Sequence, residues 1–472
     1  MDSTLLNISL KTLIAVSPML GHKLEDRSRI SRRQDDGLVR AFRDASRVPL
    51  GNPAQKDMFL VAPLDIMVEA GPRGNRFHII ETNGTGIGGL TNLPSPVVGT
   101  VLANLGEFAA SLPGPSPLVL VAVSGLESSK HPRRNHVMHE KVLYVEALRR
   151  GFEERGRDTR ILALSRLDEE PSALDTEQPT IVLGYIKEFL NRLGCGADGL
   201  LTLHGRPVAA GVNDRFCLNA VGRFGHAVDM TRFRPLNRCY AVGADKGVAY
   251  ELMNEYARAN PGSPCSGVVE FDRADGRAAL VGKVVEWLRR GEKAVIKPQG
   301  TGLGHGLEFF TDPGEALDSI AAKIDHSIRL TEHYYGAVGG AFPYTVCGFI
   351  DSRTIARPGH DLDGHRYELR VVVYREGMSL VATPSIVKVS SQGYDAGNIT
   401  RLSLINNITT SAEAKRREGT EFMLPLCNRE TLELLDIESG ELEALCAHCT
   451  GYMRHVLDRT QEEPGRFGLA GL

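Results

Sequence analysis

Long hydrophobic runs are missing from this 472-residue chain. No window reaches the roughly 18 unbroken apolar residues of a membrane span, which excludes a helical membrane protein. The opening "MDSTLLNISLKTLIAVSPML" has neither a basic start nor a small-residue cleavage site, so a cytoplasmic protein without a signal peptide is expected. A surplus of either charge is missing too: 55 Lys and Arg stand against 58 Asp and Glu, a net charge of −3. Neither a nucleic acid nor a membrane surface is therefore expected as principal partner. Cysteine is sparse, at eight residues without dense regular spacing, which excludes a disulfide scaffold and suits reduced thiols. Cys446 and Cys449 in "LCAHCTGYMRH", with His448 and His455 nearby, have metal or redox spacing. Their segment is helix-periodic and no second cysteine pair accompanies them, so buried helix cysteines are expected.

Glycine, by contrast, is abundant at 50 residues, as in α/β enzymes with many tight backbone turns. At about 150 residues per domain the chain should hold about two to four structural units. A helix is expected at "DDGLVRAFRDAS". "DMFLVAPLDIMVEA" and "RFHIIETN" follow as strands of a hairpin turned at "GPRGN". Another helix is expected at "SPVVGTVLANLGEFAASL", with Ser95 as N-cap and Pro96 at the first helical position. After the "PGPSP" linker the segments "PLVLVAVS", "HEKVLYVEALRRGFEERG", "DTRILALS", "TIVLGYIKEFLNRLG" and "GLLTLHGRPVA" alternate as βα units, which implies a parallel sheet. Helices at "KGVAYELMNEYARAN" and "AALVGKVVEWLRRG", a strand "KAVIKP" and a glycine loop come next. The β-rich "PYTVCGFI", "RYELRVVVYRE" and "MSLVATPSIVKVS" precede a last helix at 440–458.

Four stretches carry chemistry. In "FHIIETNGTGIGGLTNLP" a strand ends in Glu81 and Asn83; residues i and i+2 share a side, so two oxygens suited to a hard cation lie together. In "AVIKPQGTGLGHGLEFF" a strand ends in Lys297, followed by Gly300, Gly302, Gly304 and Gly306. The lysine can sit on a phosphate and the glycine N–H groups can join it. No Lys-Ser/Thr follows the glycines and a strand comes next, so it is neither a Walker A loop nor a dinucleotide fingerprint but a β-hairpin lid. Lys246 in "VGADKGVAYELM" opens a helix, where its charge opposes the macrodipole unless an anion is present. Glu368 and Arg370 in "HRYELRVVVYREG" share one strand face.

Together these stretches resemble the ATP-grasp ligases, with "GNITRLSLINNIT" as a further match. In that superfamily the Asp and Glu-x-Asn strands usually follow the arginine strand, but here the C-terminal part offers only Asn406 and Asn407. "PLDIMVEAGPRGNRFHIIETN", with Asp65, Glu81 and Asn83, stands at the front instead, and "KPQGTGLG" matches a K-P-Q-x-x-G-x-G lid. This order resembles the circularly permuted branch that includes eukaryotic-type glutathione synthetase and glutathionylspermidine synthetase. The resemblance covers about residues 58–95 and 240–410. Thr301 stands where eukaryotic-type glutathione synthetases have an acidic metal ligand in the lid, so identity of substrate with those enzymes does not follow.

The resemblance implies an α/β chain with a permuted ATP-grasp fold, two α+β lobes clasping ATP and an inserted parallel-sheet substrate domain. Its units would be 1–112, supplying the Asp and Glu-x-Asn strands; 113–240, the α/β substrate domain; 241–335, the lid; and 336–472, the C-terminal subdomain. It implies ATP and Mg²⁺ as cofactors, with Asp65, Glu81 and Asn83 holding the metal. Lys246, Lys297, Gln299, Gly300, Thr301, Gly302, Gly304, Phe349 and Glu368 would line the nucleotide, with adenine near "TVCGFID" and Lys246 and Lys297 on the α- and β-phosphates; the catalytic residues would be Lys297 and Arg370, the latter on the transferred phosphoryl group. The activity implied is ADP-forming carboxylate–amine ligation on an amino acid or small peptide-like metabolite. A carboxylate–thiol ligase, a small-molecule kinase and a non-catalytic ATP-binding module are the alternatives, and a homodimer stays open. Candidate substrate contacts follow predicted strands of the α/β unit, where open sheets place ligands: Arg134 and His136 in "SGLESSKHPRRNHVMHE", and Arg206, Asn213 and Arg215 in "HGRPVAAGVNDRF". His131, His136 and His139 lack an accompanying acid or cysteine at zinc spacing.

Overall fold

A computed structural model describes residues 30–71, 74–85, 90–123, 138–224, 228–263, 265, 267–302, 304–336, 341–397, 399–404 and 422–467. Among them the chain forms a mixed α/β structure with four sheets. The strand-rich segments rich in Val, Ile and Tyr build a six-stranded antiparallel sheet. Its order is Val48–Pro49, Ser379–Gly393, His365–Glu376, Val61–Gly71, Gly74–Thr82, with Met423–Pro425 also paired to Ser379–Gly393. The Glu81 and Arg370 strands thus share a sheet despite their distance in sequence, with Val61–Gly71 between them.

The helix Ser439–Glu462 ties the C-terminal part of the described residues to residues 52–75. Its start carries a capping box between Glu438 and Glu441, and Glu441 also accepts from the Asn75 backbone and side chain at the hairpin turn (3.0 and 2.9 Å). At its far end Asp458 and Gln461 accept from Gln55 (2.7 and 2.9 Å). The helix therefore runs to the residues that lead into the Asp65 strand. The helix Asp36–Ala45 is capped by Asp35, whose carboxylate accepts from two N–H groups of the first turn. The helix Ser95–Ala110 differs from expectation: Pro94 is its cap and Ser95 is already helical, so no side chain caps it.

The expected parallel sheet is present, in the order Arg234–Pro235, Ala210–Val212, Leu118–Val123, Thr180–Tyr185, Arg160–Ala163. "GLLTLHGRPVA" is not part of its centre. The turn at His204 and Gly205, both with positive φ, folds Leu201–Leu203 and Arg206–Pro207 into a small antiparallel sheet with Leu193–Cys195. One apolar core is continuous from the large sheet into this unit.

A four-stranded antiparallel sheet, ordered Phe271–Ala274, Tyr344–Gly348, Ala294–Pro298, Glu308–Phe310, carries the glycine loop between its last two strands. Trp287, Leu288, Ile320 and Ile324 from the helices Arg277–Arg289 and Leu317–Tyr335 cover it with a separate apolar core. Tyr344–Gly348 lies past the boundary expected at 335, yet five register pairs tie it to the Lys297 strand.

Candidate functional site

Arg370, Asp65 and Glu81 are cross-strand partners on three adjacent strands. Strands about 4.8 Å apart with a two-residue pleat put such partners on one face. A register irregularity follows Asp65, leaving Ile80 as the extra residue of a bulge next to Glu81. The bulge is held, because the Tyr250 hydroxyl donates to the Ile80 carbonyl at 2.8 Å.

Asp65 is buried and fully engaged. Arg370 donates Nε and Nη2 to its two oxygens, both at 2.7 Å. Lys388 Nζ lies 3.0 Å from Oδ2, and Asn83 Nδ2 donates to the same oxygen at 2.9 Å. Burial alone would raise this carboxyl, but Arg370 and Lys388 outweigh it and hold the group well below the usual carboxylate range. Asp65, expected among the metal oxygens, holds a bidentate arginine and a lysine here. Glu368 shares this network through its ion pair with Lys388.

Glu81 and Asn83 meet the rest of the molecule. Glu81 Oε1 is 3.1 Å from Lys246 Nζ and accepts from Arg215 Nη2 at 3.0 Å. The same nitrogen donates to Asn83 Oδ1 at 2.9 Å. Burial would raise Glu81, but Lys246 and Arg215 bring it down to about 2, and Lys297 acts in the same direction. Burial lowers Lys246, against the pull of Glu81. Lys246 is the first residue of Lys246–Ala259, a helix capped by Asp245, and Glu81 supplies the anion that this placement needs. The loop after Asn83 is clamped by the α/β unit: Thr85 donates N–H and O–H to Asp214 (2.9 and 2.7 Å), and Lys141 donates to the Thr85 carbonyl at 3.0 Å. Burial pushes Asp214 up to about 6.

The glycine loop closes onto the same place. Lys297 donates to the Tyr250 hydroxyl, and Gln299 to Asp245. The loop is tied to the molecule more firmly than four glycines imply. Gly300 N–H donates to the Ala244 carbonyl at 2.9 Å and Gly302 N–H to Tyr335 Oη at 2.9 Å, so these two N–H groups are not offered to an anion here. Thr301 is buried with its hydroxyl on the Pro298 carbonyl, and the Gly304 carbonyl accepts from Arg401 at 2.7 Å. His305 bonds Tyr335 and stacks on Tyr334; burial with Arg401 and Arg215 nearby pushes it down to about 4. Gly302 rests on Arg215, where a Cβ would come within 2.6 Å of Nη1. Phe349 is half-buried beside Phe309, with Lys293 and Arg366 over its ring.

Of the substrate candidates among the described residues, only Arg215 reaches this cluster. Arg206 lies where the parallel strands begin, donating to Leu174, Thr180, Ser116 and Gln178. Asn213 is fully buried at φ 112° and caps the next helix, accepting from the Arg215 and Phe216 N–H groups. Arg134, His136, His131, Asn406 and Asn407 lie outside the described residues. Among the described residues no group of three His, Cys, Asp or Glu is arranged to hold a metal, and Cys446 and Cys449 are buried in Ser439–Glu462 as expected. Lys388, Tyr250, Asp214 and Tyr335 were not anticipated. A lysine inside the apolar "SIVKVSS" was the available signal for the first; the others lie in ordinary helix patterns.

Arg370, Lys388, Lys246, Lys297 and Arg215 thus converge on Asp65, Glu81 and Glu368, leaving cations in excess of carboxylates. No family model matches the chain. No curated protein matches it. Among the solved structures it matches is a protein of Methylobacillus flagellatus KT provisionally described as a gamma-glutamylcysteine synthetase, at 12% identity and TM-score 0.45, covering 98% of this chain and 97% of that one. A likeness at this level transfers neither residues nor activity. No helix among the described residues is long and apolar enough to cross a membrane.

Proposed function

We propose that the chain is a permuted ATP-grasp enzyme that activates a small carboxylate with ATP and couples it to an amine. The observation that carries this reading is the convergence of Lys246, Lys297, Arg370 and Lys388 with Glu81 and Asn83 at the junction of the large sheet, the glycine-loop sheet and the α/β unit. A gathering of cations at a largely buried site is costly unless anions meet it, and a polyphosphate is such an anion. The donor set fits a divalent ion at Glu81 and Asn83, because Oε1 and Oδ1 already converge on a single cationic nitrogen. Glu81 and Asn83 are hard oxygen donors of the kind Mg²⁺ takes; Asp65, with both oxygens occupied, orients Arg370 and Asn83 instead.

On this reading Lys246 and Lys297 neutralise nucleotide phosphates, and Arg370, fixed by Asp65, faces the phosphoryl group in transfer. When bound, the metal would offset charge on the phosphate oxygens. The bond between the β- and γ-phosphates breaks as a carboxylate oxygen takes the phosphoryl group. An amine then displaces phosphate from the carbonyl carbon and loses its proton, giving an amide, ADP and phosphate. The chain's contribution is positioning and fixed charge rather than a covalent intermediate.

The test is incubation with ATP and Mg²⁺ over a panel of amino acids and small peptides, with ADP and product mass followed together. The expected product weighs the sum of acid and amine less water. A phosphorylated alcohol would replace this reading with a kinase, and nucleotide bound without ADP formation across the panel would leave a binding module.

A further inference from the structure

Arg215 is bound in a way that does not suit a guanidinium. An arginine matched to a carboxylate uses two nitrogens in a planar fork, as Arg370 does on Asp65. Arg215 instead presents one nitrogen, Nη2, to two acceptors on different residues, Glu81 Oε1 at 3.0 Å and Asn83 Oδ1 at 2.9 Å. Its Nε is buried without a partner among the described residues, although the residue is only 6% exposed. The acceptors are therefore arranged for a point charge. The guanidinium is also confined from the other side by Gly302, where no Cβ would fit, and its helix start is fixed by Asn213.

We infer that Arg215 is a resident cation occupying the point between Glu81 and Asn83 that a divalent ion takes, and that it yields this place when nucleotide phosphates receive its guanidinium. The inference rests on the reading of Glu81 and Asn83 as metal donors. Two cations cannot share that point, so metal competes with Arg215 in the nucleotide-free protein. A displaced guanidinium needs an anion, and phosphate oxygens beside Lys246 supply one. Metal and nucleotide then bind with positive coupling, and each strengthens the other by the same factor.

Mn²⁺ binding, followed by electron paramagnetic resonance of the free ion, tests this. The full chain is compared with Arg215→Met, Arg215→Lys and Glu81→Gln, with and without a non-hydrolysable ATP analogue, each against the analogue alone. Without nucleotide, Arg215→Met should bind Mn²⁺ at least about tenfold more tightly than the unaltered chain, within the usual range of such couplings. Arg215→Lys keeps a point cation and should stay weak, and it serves as the folded comparison if the methionine variant is unstable. The analogue should tighten Mn²⁺ binding in the unaltered chain and much less in Arg215→Met. Equal Mn²⁺ affinity in the unaltered chain and both Arg215 variants, with binding still lost in Glu81→Gln, overturns the inference and leaves the metal assignment standing. Binding that ignores Glu81→Gln, or no binding even with the analogue, overturns both.

Discussion

Two buried polar clusters in this molecule differ in charge: one is ionic, the other neutral. At Asp65 and Glu81, burial disfavours the ionised forms, yet both carboxyls are held low by Arg370, Lys388, Lys246 and Arg215. In Ser439–Glu462, burial again dominates, but Cys446 and Cys449 are surrounded by other thiols and Glu443, and both are pushed well above the usual thiol range. Cys265 beside them rises to about 12 and His448 falls to about 4, each through burial. Burial is common to both clusters; counter-charge is what differs. A neutral cluster is ordinary core, whereas a buried ionic one is rarely the most stable choice and is kept where charge is used.

The sharpest way to break this comparison is to remove one anion from the charged cluster. Asp65→Ala removes the carboxylate that Arg370 grips with two nitrogens and leaves Lys388 with Glu368 alone, and should destabilise the fold by about 3–5 kcal/mol in urea unfolding. Cys446→Ala, which removes a neutral sulfur, should cost far less. Equal costs would mean that the ionic cluster is not energetically distinct.

A smaller effect separates function from folding within the charged cluster. Lys297 bonds a hydroxyl rather than an acid, so its charge is not committed to a carboxylate. Lys297→Ala should weaken ATP binding by about 1.5–3 kcal/mol, the worth of a charge-assisted contact, while the melting temperature changes little. Unchanged nucleotide affinity by calorimetry would remove Lys297 from the phosphate site.

Much of the charged cluster was legible because strand alternation is a strict rule. A period of two places Glu368 with Arg370, and Glu81 with Asn83, without any tertiary information. That the two strands share a sheet was legible only from the order of motifs, and the register that aligns Arg370, Asp65 and Glu81 supplies the geometry. What was not legible is who neutralises whom. Asp65 has the ligand chemistry of a metal site, but its pairing with Arg370 and Lys388 depends on two strands more than 300 residues away. Arg206 and Asn213 likewise follow the right sequence pattern, and their backbone duties, bridging strand starts and capping a helix, arise from turns at His204 and Asn213 with positive φ. The neutral cluster was legible because helical periodicity alone buries Cys446 and Cys449.

The smallest expected effect sharpens the neutral side through pH. His448 falls from an ordinary value of 6.5 to about 4 because it is buried, with Nδ1 on the Ser263 hydroxyl and its ring edge-on to Tyr256. The unfolded chain therefore takes up this proton first as pH falls. Stability from a neutral His448 is complete above about pH 6.5 and is lost as pH drops towards 4. At pH 5.5 the loss should be about 1 kcal/mol relative to pH 8. The depressed carboxyls at Asp65 and Glu81 lose their contribution only at lower pH, below about 4. Asp214, raised to about 6, runs the other way, since its contribution fades as pH rises through 6. The reading is therefore a difference: His448→Gln, which keeps a partner for Ser263, should flatten the melting temperature between pH 8 and 5.5 relative to the unaltered chain. Parallel profiles for the two proteins would show that His448 is charged in the fold, and the neutral cluster would not be neutral.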